Sequence, residues 1–313
     1  MIELKSTHSG GKMKKLKKLR AIDIHSHFGT KKGSLWRTPE EEQHAQETYK
    51  YKIVHHTEKQ QAQAMRDAGV KVILDFSFTM AMPIDEVKEY HDYAAEMMRN
   101  DPDVYLGIWV AINPETGLAG LRELERCIRD LKVGVGFTSM SMAMHLPPSD
   151  KAFYPFYDLC AEAKKPVHLM VGYTGWGAGF RGGLGCTLDP CHPRHVDEVA
   201  AKFSHLDIIA ARPAWPWQTE MIAILMHKAN IVGYDLHGWS PKYFAPDLKW
   251  EIAHRLQDRI IFGADYPMFT YEKLYRDWEA EGYSKEILDK LYYKNAARIL
   301  KKAGYDLSKE LPE

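Results

Sequence analysis

The sequence predicts an α/β fold, and within that class a (β/α)8 TIM barrel, from three observations. Short apolar, β-rich runs alternate with amphipathic stretches along the 313-residue chain. Eight such runs occur, enough for a parallel sheet to close on itself. The first run leads into Ile24-His25-Ser26-His27-Phe28, not the glycine-rich turn that opens a nucleotide-binding open sheet.

In chain order the expected strands are Leu19–His25, Val70–Ser77, Val104–Ile112, Gly134–Ser139, Pro166–Gly172, Leu206–Ala211, Ile231–Leu236 and Ile260–Gly263. The amphipathic stretches between them are Pro39–Ala68, Ile84–Asn100, Leu118–Leu131, Lys151–Lys164, Val196–Phe203, Gln218–Lys228 and Pro246–Leu256. No interdomain linker interrupts the alternation. The expected organisation is a basic tail over 1–18 and a single barrel over 19–313. The loop Gly172–Asp189 holds seven glycines, each losing much backbone entropy on ordering. It reads as a lid over the mouth or as a plain surface excursion.

Composition excludes several function classes. Net charge is zero, so neither nucleic acid nor an anionic membrane is an expected partner. No apolar run reaches the ~20 residues of a membrane span, and no apolar segment follows the basic N-terminus as a secretory signal requires. The four cysteines, Cys127, Cys160, Cys186 and Cys191, show no CxxC spacing. A chain this long needs no disulfide staples, and a cytoplasmic location with reduced thiols is expected.

Chemistry concentrates at strand ends. Residues i and i+2 of a strand share a face, so His25 and His27 both point into the barrel mouth. Two imidazoles on one rigid strand make half a zinc or iron site. Far along the chain, Phe262-Gly263-Ala264-Asp265-Tyr266-Pro267 ends the last apolar run in a carboxylate. In a closed barrel the first and last strands are neighbours, so Asp265 is expected to meet the two histidines; a helix N-cap is its other reading. His237, after the seventh strand, is a candidate acid/base or substitute ligand. Tyr173, Trp176, Trp215 and Trp217 are candidate aromatic walls for a planar substrate, or core. His55 and His56 are expected on a helix, solvated. His192 and His195 either reach the mouth or open a helix.

His25-Ser26-His27 on strand one, Phe262-Gly263-Ala264-Asp265-Tyr266-Pro267 on strand eight and Asn295-Ala296-Ala297-Arg298 near the end resemble the amidohydrolase-related family. That family, part of the amidohydrolase superfamily, includes aminocarboxymuconate-semialdehyde and γ-resorcylate decarboxylases. The likeness runs from about Ala21 to Leu300. It implies one divalent metal, zinc or manganese, held by His25, His27, a strand-five histidine and Asp265; zinc is the first expectation for this chain, with manganese or iron as alternatives. The chain departs from the pattern twice. Met170 stands where the strand-five histidine is expected, and His168, one pleat deeper on the same face, is either a displaced metal ligand or a buried histidine hydrogen-bonded in the core. Arg212 replaces a strand-six histidine; its fork can grip a carboxylate or stabilise an oxyanion but cannot serve as a base.

The run Ala211-Arg212-Pro213-Ala214-Trp215-Pro216-Trp217 also resembles a subgroup of β-ketoacyl-CoA hydrolases acting on hydroxyphenyl side chains. The leading expectation is therefore a metal-dependent hydrolase cleaving a C–C bond of a β-keto substrate. In that reading Asp265, Arg212 and His237 are catalytic, and the site takes a small carboxylate or an acyl-CoA. Arg212 would bind substrate with Tyr173, Trp176, Trp215 and Trp217. One alternative is a nonoxidative metal-dependent decarboxylase of an aromatic or enoic acid. The other, prompted by Met170 and Arg212, is a catalytically degenerate barrel partnering an active paralogue. A homo-oligomer is expected.

Overall fold

The computed structural model describes residues 15–16 and 18–312; apart from 15, 16 and 18, the expected basic tail lies outside them. Eight parallel strands follow one another in sequence order: β1 (Ala21–Ser26), β2 (Val70–Asp75), β3 (Tyr105–Val110), β4 (Gly134–Ser139), β5 (Val167–Met170), β6 (Ile208–Ala211), β7 (Ile231–Asp235) and β8 (Ile260–Ile261). Every residue of every strand is buried, because one face fills the barrel and the other meets the helical ring. Such double burial explains why the strands read as continuous apolar runs.

Closure lies between β8 and β1. Ile24 N donates to Phe262 O (3.2 Å), Asp265 N to His25 O (2.8 Å) and His27 N to Tyr266 O (2.6 Å). β8 is shorter than the expected Ile260–Gly263, yet these bonds carry its backbone along β1 to the site. Behind it, Asn295 Nδ2 donates to Ile260 O (2.8 Å) and Gln257 O (2.9 Å).

The single amphipathic stretch expected over Pro39–Ala68 is two helices, Pro39–Tyr49 and Glu58–Ala68. Each starts at a capping box, Thr38 with Glu41 and Thr57 with Gln60, and Lys50 ends the first in a left-handed conformation. His55 and His56 therefore lie in the connection rather than on a helix, half-buried. His56 N donates to Gly29 O (2.7 Å), and His55 Nε2 lies 2.7 Å from Glu42 Oε1. The stretch expected as Leu118–Leu131 is an α-helix only to Glu125, then a π-turn over Arg126–Asp130. All four cysteines are free thiols. Among the described residues no helix is long and apolar enough to cross a membrane.

Candidate active site

The C-terminal ends of the strands converge on a buried group of imidazoles and carboxylates. His25 and His27 leave β1 on the same phase, 0 % and 3 % exposed. Asp265 follows β8 in a left-handed conformation (φ 56°), which Asp tolerates better than most residues. Its Oδ1 lies 3.0 Å from His27 Nε2 and 3.8 Å from His25 Nε2. Burial pushes the Asp265 carboxyl up, but the His27 hydrogen bond and the Arg212 charge outweigh it and hold it well below the usual carboxylate range. Burial drives His25 well below an ordinary imidazole, and the fields of His237, His27 and His168 add to the effect.

Asp23 holds this corner together. Its Oδ1 accepts from His25 N (3.0 Å) and Ala264 N (3.0 Å), while its Oδ2 accepts from Tyr271 Oη (2.8 Å) and Ser26 Oγ. Burial raises its carboxyl to about 7 despite these bonds. On the other flank, Trp109 of β3 donates Nε1–H to Ile24 O (2.6 Å), fixing the backbone just before His25.

A second group sits between β5 and β7. Asp235 Oδ2 lies 2.9 Å from His168 Nε2 and 2.6 Å from His237 Nδ1. Burial would raise Asp235, yet the two imidazoles bring it down to about 2. Asp235 and Asp75 both reach the histidines: His25 Nδ1 is 3.9 Å from Asp235 Oδ2, and His27 Nδ1 is 3.7 Å from Asp75 Oδ2. Sequence reasoning assigned neither carboxylate to the site. A signal existed for one of them, because Asp235-Leu236-His237 repeats on β7 the i, i+2 spacing of the two histidines on β1.

Arg212 follows β6 with a left-handed backbone (φ 80°), a conformation a long side chain rarely adopts. Its guanidinium is 7 % exposed, with Nη1 3.9 Å from Asp265 Oδ2 and Nε without a partner. It lies against Gly238 so closely that a Cβ there would come within 2.2 Å of Nη1.

Two clefts open on these groups. The larger, about 440 Å3, has Arg212 and Asp265 in its wall together with Tyr49, Tyr173, Trp239 and Tyr243. The smaller, about 40 Å3, is bordered by His27, Arg212, Trp176 and Met140. Tyr173 thus lines the larger cleft and Trp176 the smaller. Trp215 borders neither cleft; it is half-exposed and packs near Tyr173 and Trp239 (ring centroids 5.9 and 6.0 Å). Trp217 packs on His192 (4.6 Å). His192 caps the helix Pro193–Lys202, accepting from Arg194 N; His195 Nδ1 lies 2.9 Å from Ser149 Oγ. The loop after β5 rests on the helix Pro39–Tyr49, where Tyr49 Oη donates to Gly175 O and His44 Nε2 lies 3.1 Å from Ala178 O.

A family model described as amidohydrolase matches residues 22–302. No curated protein matches the sequence. Among solved structures, a TIM-barrel protein of Bordetella bronchiseptica superposes with a TM-score of 0.69 at 19% identity, covering 91% of this chain and 99% of its own. The 2,6-dihydroxybenzoate decarboxylase from Rhizobium gives 0.65 at 17%, covering 90% and 99%. A dihydroxybenzoic acid decarboxylase from Polaromonas with bound manganese and 2-nitroresorcinol gives 0.64 at 18%, covering 90% and 97%. At these identities the likeness is one of fold.

Proposed function

The chain belongs to the amidohydrolase family, and from that premise we propose that it is a nonoxidative, divalent-metal-dependent decarboxylase of a single-ring aromatic carboxylate. The observation that carries this reading is the Arg212 corner. A buried guanidinium with an unpartnered Nε faces a cleft of about 440 Å3 walled by aromatic rings. A desolvated cation without a full set of partners is costly unless an anion joins it, and a carboxylate matches its fork. The fold neighbours from Rhizobium and Polaromonas, both decarboxylases of dihydroxybenzoates by name, support this course over hydrolytic C–C cleavage.

The residues at the mouth fit a divalent metal. Both ring nitrogens of His25, His27 Nδ1, His237 Nε2 and Asp75 Oδ1 are buried without a hydrogen-bond partner. Orphaned lone pairs gathered in one place are costly and call for a ligand. His25, His27 and Asp265 would hold the ion, zinc or manganese, with a further imidazole completing the set. The cation supplies charge that orients the substrate's oxygens and stabilises negative charge on them. The protein side chains do the rest. Arg212 fixes the carboxylate, and the aromatic walls hold the ring plane. When the ring–carboxylate bond breaks and CO2 leaves, a proton must take its place on the carbon. That proton would come from solvent, and Asp265, hydrogen-bonded to His27, would take it up and pass it to the carbon that keeps the electron pair of the broken bond.

The test is CO2 release from 2,6-dihydroxybenzoate and other hydroxybenzoates by protein loaded with Mn2+ or Zn2+. One CO2 per ring product, abolished by chelation, is the expected result. Hydrolysis of a β-ketoacyl thioester with no CO2 from any hydroxybenzoate would overturn the proposal and restore the hydrolase expectation.

A further inference from the structure

Met170 leaves the cation site one imidazole short on β5, and the structure offers two replacements. We propose that His237 of the β7 end, and not His168 of β5, is the third imidazole of the metal site, with Asp235 as the carboxylate that orients it. The inference rests on the reading that the mouth binds a divalent cation.

Each ring nitrogen of His168 already has a polar neighbour. Its Nε2 is 2.9 Å from Asp235 Oδ2, its Nδ1 is 3.2 Å from Thr138 Oγ1, and its ring lies flat against Trp109 (centroids 4.9 Å, planes 14° apart). Each of those contacts holds it in the barrel interior, one pleat below the mouth. His237 is the reverse case. Its Nδ1 is 2.6 Å from Asp235 Oδ2, so the proton on that nitrogen is donated to the carboxylate and Nε2 is left as the lone-pair nitrogen. That nitrogen is fully buried and has no partner. A carboxylate holding one imidazole nitrogen while the other faces a metal is a standard outer-shell arrangement.

Placement agrees. The His237 ring lies face to face with that of His25, 3.4 Å between centroids and 5° between planes. The two imidazoles therefore share one wall of the site. Imidazole lone pairs lie in the ring plane, so sharing one cation requires the two rings to tip out of parallel when the ion binds. Met170, buried in β5, is not an equivalent, since protein zinc sites are built from Cys, His and carboxylate and manganese favours oxygen donors. The ligand lost on strand five is thus replaced from strand seven, across the same mouth.

Two rival geometries are present: ligand atoms of His25, His27 and Asp75 lie within 4.8 Å of one another, a set that uses neither His237 nor His168, and a second grouping uses both. A ligand atom from each of His25, His168, Asp235 and His237 lies within 4.8 Å of the others, so a cation seated deeper would use both histidines. Cobalt(II) titration followed by ligand-field absorption, with metal content by mass spectrometry, separates the cases. His237→Gln should weaken cobalt binding at least roughly 10- to 100-fold, while His168→Gln keeps the wild-type affinity and spectrum. Equal loss in both variants, or loss in His168→Gln alone, would overturn the proposal. Should His237→Gln fail to fold by circular dichroism, a crystal structure of the cobalt-loaded wild type decides. His237 Nε2 at about 2.1 Å from the ion supports the assignment, and His168 in that place defeats it. Wild-type protein that binds no cobalt would refute the metal reading itself, a result distinct from either histidine outcome.

Discussion

Arg212 and Gly238 form a pair whose geometry can be broken from either side. The guanidinium is buried and left-handed at its own backbone, and it owes its position to the missing Cβ of Gly238. Replacing Arg212 by Lys keeps the charge but loses the planar fork. We expect kcat/KM to fall roughly 100-fold, the scale of one lost anion-stabilising donor, with thermal stability little changed. Gly238→Ala should act in the same direction, because a Cβ 2.2 Å from Nη1 must displace it, and Gly238 itself has φ 79°. Steady-state kinetics beside a thermal melt check both variants, and unchanged kinetics would remove Arg212 from substrate binding. At this scale the sequence was informative where a strand's two-residue period applied: His25, His27 and Asp265 meet as that period and barrel closure predict. The Asp235–His168 contact joins residues 67 positions apart, and no local pattern encodes it.

The seam between β1 and β8 is the element on which the site depends. Three backbone hydrogen bonds and the four-bond cage around Asp23 hold it. Asp23→Ala would strand two buried backbone N–H groups and the Tyr271 hydroxyl. Such a loss costs about 3 kcal/mol, measurable by urea unfolding; a cost near zero would show that the seam closes without it. The motif at Asn295 acts on the same element, since its side chain clamps the start of β8. All eight strands were legible because each is buried on both faces and reads as an apolar run. The break within 39–68 was written in its caps, Thr57 with Gln60 and the left-handed Lys50. Its amphipathic pattern ran on across that break and masked it.

Across the whole molecule, acid stability has a separate and testable source in the helical layer. His91 Nδ1 lies 2.7 Å from Glu123 Oε1, and Arg126 holds both oxygens of the same carboxylate. Burial would raise Glu123, but these partners lower it to about 2; burial lowers His91 below its ordinary value. Both shifts have the same sign for stability. A depressed carboxylate contributes above its unfolded pKa of roughly 4.3 and loses that contribution as pH falls toward about 2. An imidazole kept neutral likewise favours unfolding once pH drops below its unfolded value near 6.5. Unfolding free energy should therefore decline as pH falls from neutrality, with a flatter decline in Glu123→Gln. Urea midpoints at pH 7, 5 and 3 read this directly, and parallel curves would contradict it. Glu123 and Arg126 are an i, i+3 pair on one helical stretch, but His91 comes from the helix Ile84–Asn100 packed beside it, a partner no local pattern encodes.

Two imidazoles and one carboxylate from opposite ends of the chain are expected to share one cation. An anomalous-difference map from crystals grown with manganese tests that claim most directly. One peak bonded by His25, His27 and Asp265 at the barrel mouth is the expected result. A map with no peak there under saturating manganese, or a peak that Asp265 does not touch, would contradict it.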